Sequence, residues 1–185
     1  MKRTFIAVKI EAGEKLVEVF NVLKEDLMNE SVRWVDIGKM HITLAFLGDT
    51  SEETIREVSV MLRNVCNGFG QFSFSLAGLG VFRNMNDPRV IWGGIGNSEK
   101  LAALFTLVES GLHETGIETE EREFKPHLTI GRIKWIKEKK ALEAAVSKYS
   151  GFKFQDVNVT EVIFYESILQ QTGPLYLPIK VFKLS

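Results

Sequence analysis

The chain has few of the features that mark metal-binding, membrane or duplex-binding proteins. Of its 185 residues only Cys66 is a cysteine, which excludes an internal disulfide and a cysteine–histidine metal pattern. No apolar run reaches the roughly 20 residues of a membrane span, and Lys9 and Glu11 interrupt the apolar start, so we expect a cytoplasmic protein. The formal net charge of −1 lacks the basic excess of duplex binders. A nucleic-acid partner would therefore be short, terminal or held by a local basic patch.

An internal duplication organises the chain, whose 45% hydrophobic and 25% charged residues are ordinary for a folded globular protein. The tetrapeptide HITL at residues 41–44 recurs as HLTI at residues 127–130, 86 positions later. Strand-like and helix-like patterns align at the same shift. The two copies span roughly residues 3–87 and 89–170, and residues 84–88 form the connection between them.

Each copy contains two amphipathic helices between strand-like runs. Thr50 or Ser51 is placed as the N-cap of one helix in the first copy, and Ser98 as that of one in the second. The order of elements in each copy reads roughly β-α-β-β-α-β. After Gly173 and Pro174, a last strand is predicted near residues 177–182. We therefore predict an α+β fold in which antiparallel sheets carry helices on their outer faces.

The chain has three histidines, and His41 and His127 both stand in a His-x-Thr-x pattern. In a β-strand, residues two apart point to the same face, so His41 should lie beside Thr43 and His127 beside Thr129. If an approximate two-fold axis relates the copies, the two polar pairs meet across a groove. A duplicated histidine without a chemical role is the structural alternative.

Two imidazoles and two hydroxyls suit in-line displacement at phosphorus. One neutral imidazole removes a proton from the attacking water, and the other, as imidazolium, protonates the leaving oxygen. The hydroxyls of Thr43 and Thr129 donate to the phosphate oxygens, whose charge grows toward the transition state. Metal binding by the histidines is the rival reading, but no Asp or Glu stands within either motif to complete a ligand set. We expect no metal and no cofactor.

Several stretches resemble the two-histidine phosphoesterase superfamily, and most closely its RNA 2′,3′-cyclic phosphodiesterase branch, also called 2′-5′ RNA ligase. The two histidine motifs, MHITLAFLG at residues 40–48 and FKPHLTIGR at residues 124–132, carry the resemblance. RTFIAV at residues 3–8, RWV at residues 33–35 and the terminal stretches FYES and GPLY extend it over essentially the whole chain.

This resemblance implies two pseudo-symmetric αβ lobes that flank a central cleft, with both chain ends in one lobe and the middle of the chain in the other. It implies a single bilobal domain over residues 1–185, which we expect to be a monomer. It also implies hydrolysis of a terminal 2′,3′-cyclic phosphate to a 2′-phosphomonoester, with reversible 2′-5′ RNA ligation as a second activity. By the same precedent His41 is the proton donor and His127 the acceptor. The residues alone leave that order open.

Three further side chains are candidates for substrate contact. Arg132 matches the arginine that usually follows the second motif in this family. Strict alternation puts Arg132 opposite His127, so a role in phosphate binding requires a β-bulge, which Gly131 would permit. A solvated arginine is the alternative. Trp34 and Phe46 could stack on a terminal base or simply pack.

The expected partners are RNA ends or small cyclic nucleotides. A non-catalytic binder of RNA ends or of 2′-5′ oligonucleotides is the main alternative. An enzyme acting on a small nucleotide, such as a cyclic ADP-ribose phosphate, would use the same chemistry, and the sequence leaves substrate size open.

Overall fold

The computed structural model describes residues 1–117, 124–171 and 173–185. Within these ranges lie nine β-strands and four α-helices. In chain order the elements are β1 (Lys2–Lys9), α1 (Glu14–Asp26), β2 (Ser31–Trp34), β3 (His41–Thr50), α2 (Glu52–Cys66), β4 (Phe72–Phe82), β5 (Val90–Gly96), α3 (Glu99–Glu114), β6 (Leu128–Trp135), α4 (Lys139–Ser147), β7 (Lys153–Val159), β8 (Glu161–Gln170) and β9 (Gly173–Lys183).

The strands form two sheets, and every pair of neighbouring strands in them is antiparallel. Sheet A has the strand order β3-β1-β8-β9, and sheet B has the order β2-β6-β5-β4-β7. The predicted α+β class with antiparallel sheets is confirmed. The last strand, β9, begins at Gly173 and is longer than the pattern at residues 177–182 indicated.

Each sheet combines strands from both halves of the sequence. β4 of the first half lies in sheet B beside β5, and β8 of the second half lies in sheet A beside β1. Residues 84–88, predicted to connect the copies, therefore lie in the turn of the β4–β5 hairpin within one sheet. Sheet A contains strands from the two ends of the chain, whereas sheet B contains β2 and the central strands. The single bilobal domain and its duplication stay predictions.

The predicted order β-α-β-β-α-β matches the first half. In the second half, no strand lies between α3 and β6 among the described residues, and residues 118–123 fall outside them. Of the two candidate N-caps of α2, Thr50 and Ser51, the cap is Ser51, because its hydroxyl accepts a hydrogen bond from the backbone N–H of Thr54 at 3.1 Å. Ser98 occupies the N-cap position of α3, but its side chain makes no capping hydrogen bond.

One continuous cluster of buried apolar side chains joins all four helices to both sheets. Alternate residues of β1 divide between this cluster and the opposite face. Ile6 and Val8 belong to the cluster, whereas Phe5 and Ala7 form a smaller cluster on the other side of sheet A. We call the sheet faces turned away from the helices the open faces. No helix in the described ranges is long and apolar enough to cross a membrane.

Candidate active site

The two histidine motifs lie on neighbouring strands of different sheets. His41 is the first residue of β3, and His127 immediately precedes β6. Cα atoms of β3 and β6 approach within 8 Å of each other, so the edge of sheet A that carries His41 meets the strand of sheet B that follows His127. The structure thus brings together two segments that are separated by 86 positions in the sequence.

Both imidazoles are oriented by the same backbone hydrogen bond. His41 Nδ1 lies 2.7 Å from the carbonyl oxygen of Lys39, and His127 Nδ1 lies 2.8 Å from that of Lys125. A carbonyl oxygen only accepts, so each Nδ1 must carry the hydrogen. In each neutral ring Nε2 then holds the lone pair, and in each protonated ring it becomes a donor. The two rings are therefore equivalent in tautomer, and each presents Nε2 for proton transfer.

Aromatic rings pack against both imidazoles. The His41 ring lies 5.1 Å from the Phe5 ring and 5.2 Å from the Tyr176 ring, measured between centroids. The His127 and Phe82 rings lie nearly perpendicular, with their centroids 4.9 Å apart. Sequence reasoning did not identify these contacts. Alternation in β1 could have placed Phe5 on the face opposite Ile6. Its proximity to Tyr176, however, depends on the pairing of β8 with β1 and of β9 with β8.

Burial lowers the pKa of His41, because a charged imidazolium loses solvation there. The hydrogen bond to Lys39 opposes this shift, whereas the positive charge of Arg132 reinforces it. His41 thus favours its neutral form in the free protein. The influence of Arg132 also means that a guanidinium carried by sheet B lies close to a histidine carried by sheet A.

Thr43 shares a face with His41, as predicted. In β3, half-buried His41 and Thr43 alternate with buried Ile42. The pairing of His41 with Lys9 and of Thr43 with Ala7 puts both side chains on the open face of sheet A. His127 and Thr129 are likewise half-buried around buried Leu128.

The hydroxyls of Thr43 and Thr129 remain available to a ligand. Across residues 1–117, 124–171 and 173–185, neither hydroxyl makes a hydrogen bond to the protein. Two hydroxyl donors that are not used for folding therefore stand beside the two histidines.

A β-bulge in β6 turns Arg132 to the open face of sheet B. Thr129 pairs with Trp92 and Gly131 with Ile91, which leaves Ile130 as the extra residue. Exposed Arg132 therefore lies on the same face as Thr129, while Ile133 is buried. The bulge that a role for Arg132 requires is confirmed, although the role itself stays a prediction.

The two aromatic candidates differ in environment. Phe46 pairs with Phe5 across the sheet, is 62% exposed and faces the same side as Thr43, where it is accessible to a ligand. Trp34 is partly buried against the main core, with its ring edge-on to Phe20 at 5.7 Å. Trp34 thus packs, and Phe46 remains the candidate for base stacking.

No group of three or more potential metal-ligating side chains from His, Cys, Asp and Glu occurs within the described part of the chain. The chemistry available at the site is that of two imidazoles, two hydroxyls, one guanidinium and the surrounding aromatic rings.

Comparison with known proteins assigns this constellation to a family. The family model described as LigT like Phosphoesterase matches residues 6–92 and 95–176, which include both histidine motifs. The chain belongs to this family of phosphoesterases. The resemblance inferred from the two motifs is thus confirmed.

Individual relatives match along almost their whole length. A Thermotoga maritima protein named RNA 2′,3′-cyclic phosphodiesterase is 36% identical over 94% of this chain and 91% of its own length. An Archaeoglobus fulgidus protein of the same name is 34% identical over 98% and 99%. Among solved structures, E. coli LigT complexed with 3′-AMP matches with a TM-score of 0.77 at 24% identity, covering 100% of this chain and 98% of the other. That likeness shows a shared fold.

Proposed function

We propose that this phosphoesterase is an RNA 2′,3′-cyclic 3′-phosphodiesterase, which hydrolyses a terminal 2′,3′-cyclic phosphate to a 2′-phosphomonoester. The observation that carries this proposal is the matched presentation of two histidine Nε2 atoms, one at the start of edge strand β3 of sheet A and the other beside β6 of sheet B. The names of relatives that are 30–36% identical to the chain support the choice of substrate. Reversible 2′-5′ RNA ligation is proposed as the reverse of the same chemistry.

The reaction requires two proton transfers on opposite sides of the phosphorus atom. His127, as neutral imidazole, removes a proton from the attacking water, whose oxygen forms the new bond to phosphorus. His41, as imidazolium, donates a proton to the departing 3′ oxygen as its bond to phosphorus breaks. The phosphate stays on the 2′ oxygen. The proton balance is neutral overall, because one histidine gains the proton that the other loses.

Charge on the phosphoryl oxygens is stabilised by groups on the open faces. The hydroxyls of Thr43 and Thr129 donate hydrogen bonds to these oxygens, and the guanidinium of Arg132 donates charge-assisted ones. In the described part of the chain none of the three side chains makes a hydrogen bond that substrate binding would have to break, so little reorganisation accompanies binding.

The donor role of His41 has an electrostatic requirement. Burial lowers the pKa of His41 in the free protein, yet a donor must carry a proton. A bound phosphate anion stabilises the imidazolium and so raises the pKa of His41 toward working pH. We propose that substrate binding itself charges His41, which couples proton uptake to the arrival of the anion.

We propose that hydrolysis does not depend on a metal, because the histidines supply both proton transfers and the threonines and Arg132 supply the charge stabilisation. The test offers the protein a short RNA with a 2′,3′-cyclic phosphate end in excess EDTA. Undiminished hydrolysis to a 2′-phosphomonoester, identified by phosphatase treatment and positional analysis, is expected. A rate lost in chelator and restored by a divalent ion would contradict metal independence. Tight binding of the RNA end without turnover would favour the non-catalytic alternative.

A further inference from the structure

Two adjacent cations at the start of β1 have opposite surroundings. Lys2 points to the helix side of sheet A, where its Nζ lies 3.5 Å from both Glu52 and Glu166. Arg3 is exposed and shares the open face with Phe5, because alternate residues of a strand face the same way. In the described ranges no carboxylate lies within 4 Å of the Arg3 guanidinium. The cation facing the catalytic side is thus the one without a neutralising partner.

Arg3 extends the open face of sheet A beyond the ring cluster at His41. Phe5 stands between the two, with its ring 5.1 Å from the His41 ring and 4.9 Å from the Tyr176 ring. Arg3 lies two residues beyond Phe5, which is about 6.8 Å along the strand.

The charges of Arg132 and Arg3 both act on Tyr176. Burial raises the pKa of its hydroxyl, and the positive charges of Arg132 and Arg3 both oppose that shift. Arg132 also acts on His41. The open face therefore presents one cation, Arg132, whose charge acts on the catalytic His41, and a second one, Arg3, beyond Phe5 along β1.

We propose that Arg3 binds the phosphate on the 5′ oxygen of the terminal nucleoside, so that the enzyme's preferred substrate is an RNA end of at least two nucleotides. This inference rests on the proposed phosphodiesterase function and names its substrate class. Arg132 binds the cyclic phosphate, and Arg3 binds the internucleotide diester immediately upstream. A free nucleoside 2′,3′-cyclic phosphate leaves the Arg3 subsite without a ligand.

One acidic side chain faces the same subsite. Asp49 pairs with Arg3 across β1 and β3 and is exposed on the same face, although the two form no ion pair. Its negative charge repels a phosphate bound at Arg3. Asp49 therefore offers a variant whose effect has the opposite sign to that of losing Arg3.

The test compares kcat/KM for a dinucleotide ending in a 2′,3′-cyclic phosphate with kcat/KM for the cyclic mononucleotide. Arg3→Gln is expected to lower this ratio about 3- to 10-fold, the scale of one solvent-accessible phosphate contact. Asp49→Asn should raise the ratio. Lys2→Gln, the matched control on the helix side, should leave it unchanged. The salt dependence of the dinucleotide KM should lose about 0.7 of its logarithmic slope in Arg3→Gln.

The outcomes separate this inference from the proposed function. If the wild-type protein hydrolyses neither substrate, the phosphodiesterase proposal fails. If it hydrolyses both and Arg3→Gln leaves the ratio and the salt slope unchanged, the Arg3 subsite is wrong. A third substrate, the 5′-phosphorylated cyclic mononucleotide, distinguishes the source of the phosphate. A gain for that substrate without a gain for the dinucleotide would overturn the assignment to RNA ends in favour of a small nucleotide.

Discussion

Replacing Thr43 or Thr129 with valine removes one hydroxyl and keeps the shape and β-branching that suit a strand. Neither hydroxyl bonds to the described part of the protein, so its loss leaves no buried partner unsatisfied. A hydrogen bond from a hydroxyl to a charged phosphate oxygen contributes about 1.5–3 kcal/mol. Each variant should therefore lose about 10- to 150-fold in kcat/KM while its unfolding midpoint stays close to that of the wild type.

Thr4 provides a control in which stability, and not activity, should be lost. Its hydroxyl is buried on the helix side, 2.6 Å from the hydroxyl of Thr50. Because Thr50 donates to the carbonyl of Gly48, Thr4 is the donor in this pair. Thr4→Val should cost about 1 kcal/mol in the free energy of unfolding, the usual value of one such bond, with kcat/KM retained.

The assay pairs initial rates on a cyclic-phosphate RNA end with urea unfolding of the same preparations. The reasoning predicts a crossed pattern, in which Thr43→Val and Thr129→Val lose rate and Thr4→Val loses stability. Full activity in a well-folded Thr43→Val, Thr129→Val double variant would refute the role of these hydroxyls and reduce the site to the histidines and Arg132.

Two further predictions follow from the bulge and from the buried imidazole. Gly131→Ala would place a Cβ 2.8 Å from Val32 Cγ1. It should therefore destabilise the protein by about 1–3 kcal/mol and, by shifting Arg132, lower kcat/KM. The control Gly151→Ala, which has open space around its Cβ, should change neither thermal unfolding nor the rate. Equal melting temperatures for Gly131→Ala and the wild type would refute the predicted steric clash. If His41 is the donor, activity falls as pH rises through the pKa of His41. The pH profile of kcat/KM reports this pKa in the free protein, where burial lowers it, and that of kcat reports it in the complex. Because bound phosphate raises the pKa, the alkaline limb of kcat should lie at higher pH than that of kcat/KM. Because the charge of Arg132 lowers the pKa of His41, Arg132→Gln should move the alkaline limb of kcat/KM to higher pH. If the limbs of kcat and kcat/KM coincide and Arg132→Gln leaves them in place, the assignment of His41 as donor is contradicted.

The histidine motifs could be predicted in detail because the reasoning is local. Strand alternation alone places His41 beside Thr43, and the observed burial pattern agrees. The need for a bulge before Arg132 also followed from alternation, and a bulge at Ile130 supplies it. Each of these predictions depends on at most six consecutive residues.

Features that depend on distant parts of the chain could not be predicted in the same way. Alternation does not determine that β8 joins β1 or that β4 joins β5, because backbone hydrogen bonding accepts many partners. The contact of Tyr176 with the His41 ring follows from that pairing. The lowered pKa of His41 depends on burial and on Arg132 in the other sheet. The monomeric state and the cytoplasmic location stay predictions.

The central claim is that His41 and His127 act as one acid–base pair. It is tested most directly by single-turnover hydrolysis of a cyclic-phosphate RNA end in excess EDTA, using His41→Ala, His127→Ala and the double variant. The third histidine, His113, is exposed in the last turn of α3, and His113→Ala serves as the control. Each single variant should lose at least about 10²-fold. The double variant should lose much less than the product of the two, and the control should retain its rate. A near wild-type rate in either His41→Ala or His127→Ala would contradict the two-histidine mechanism.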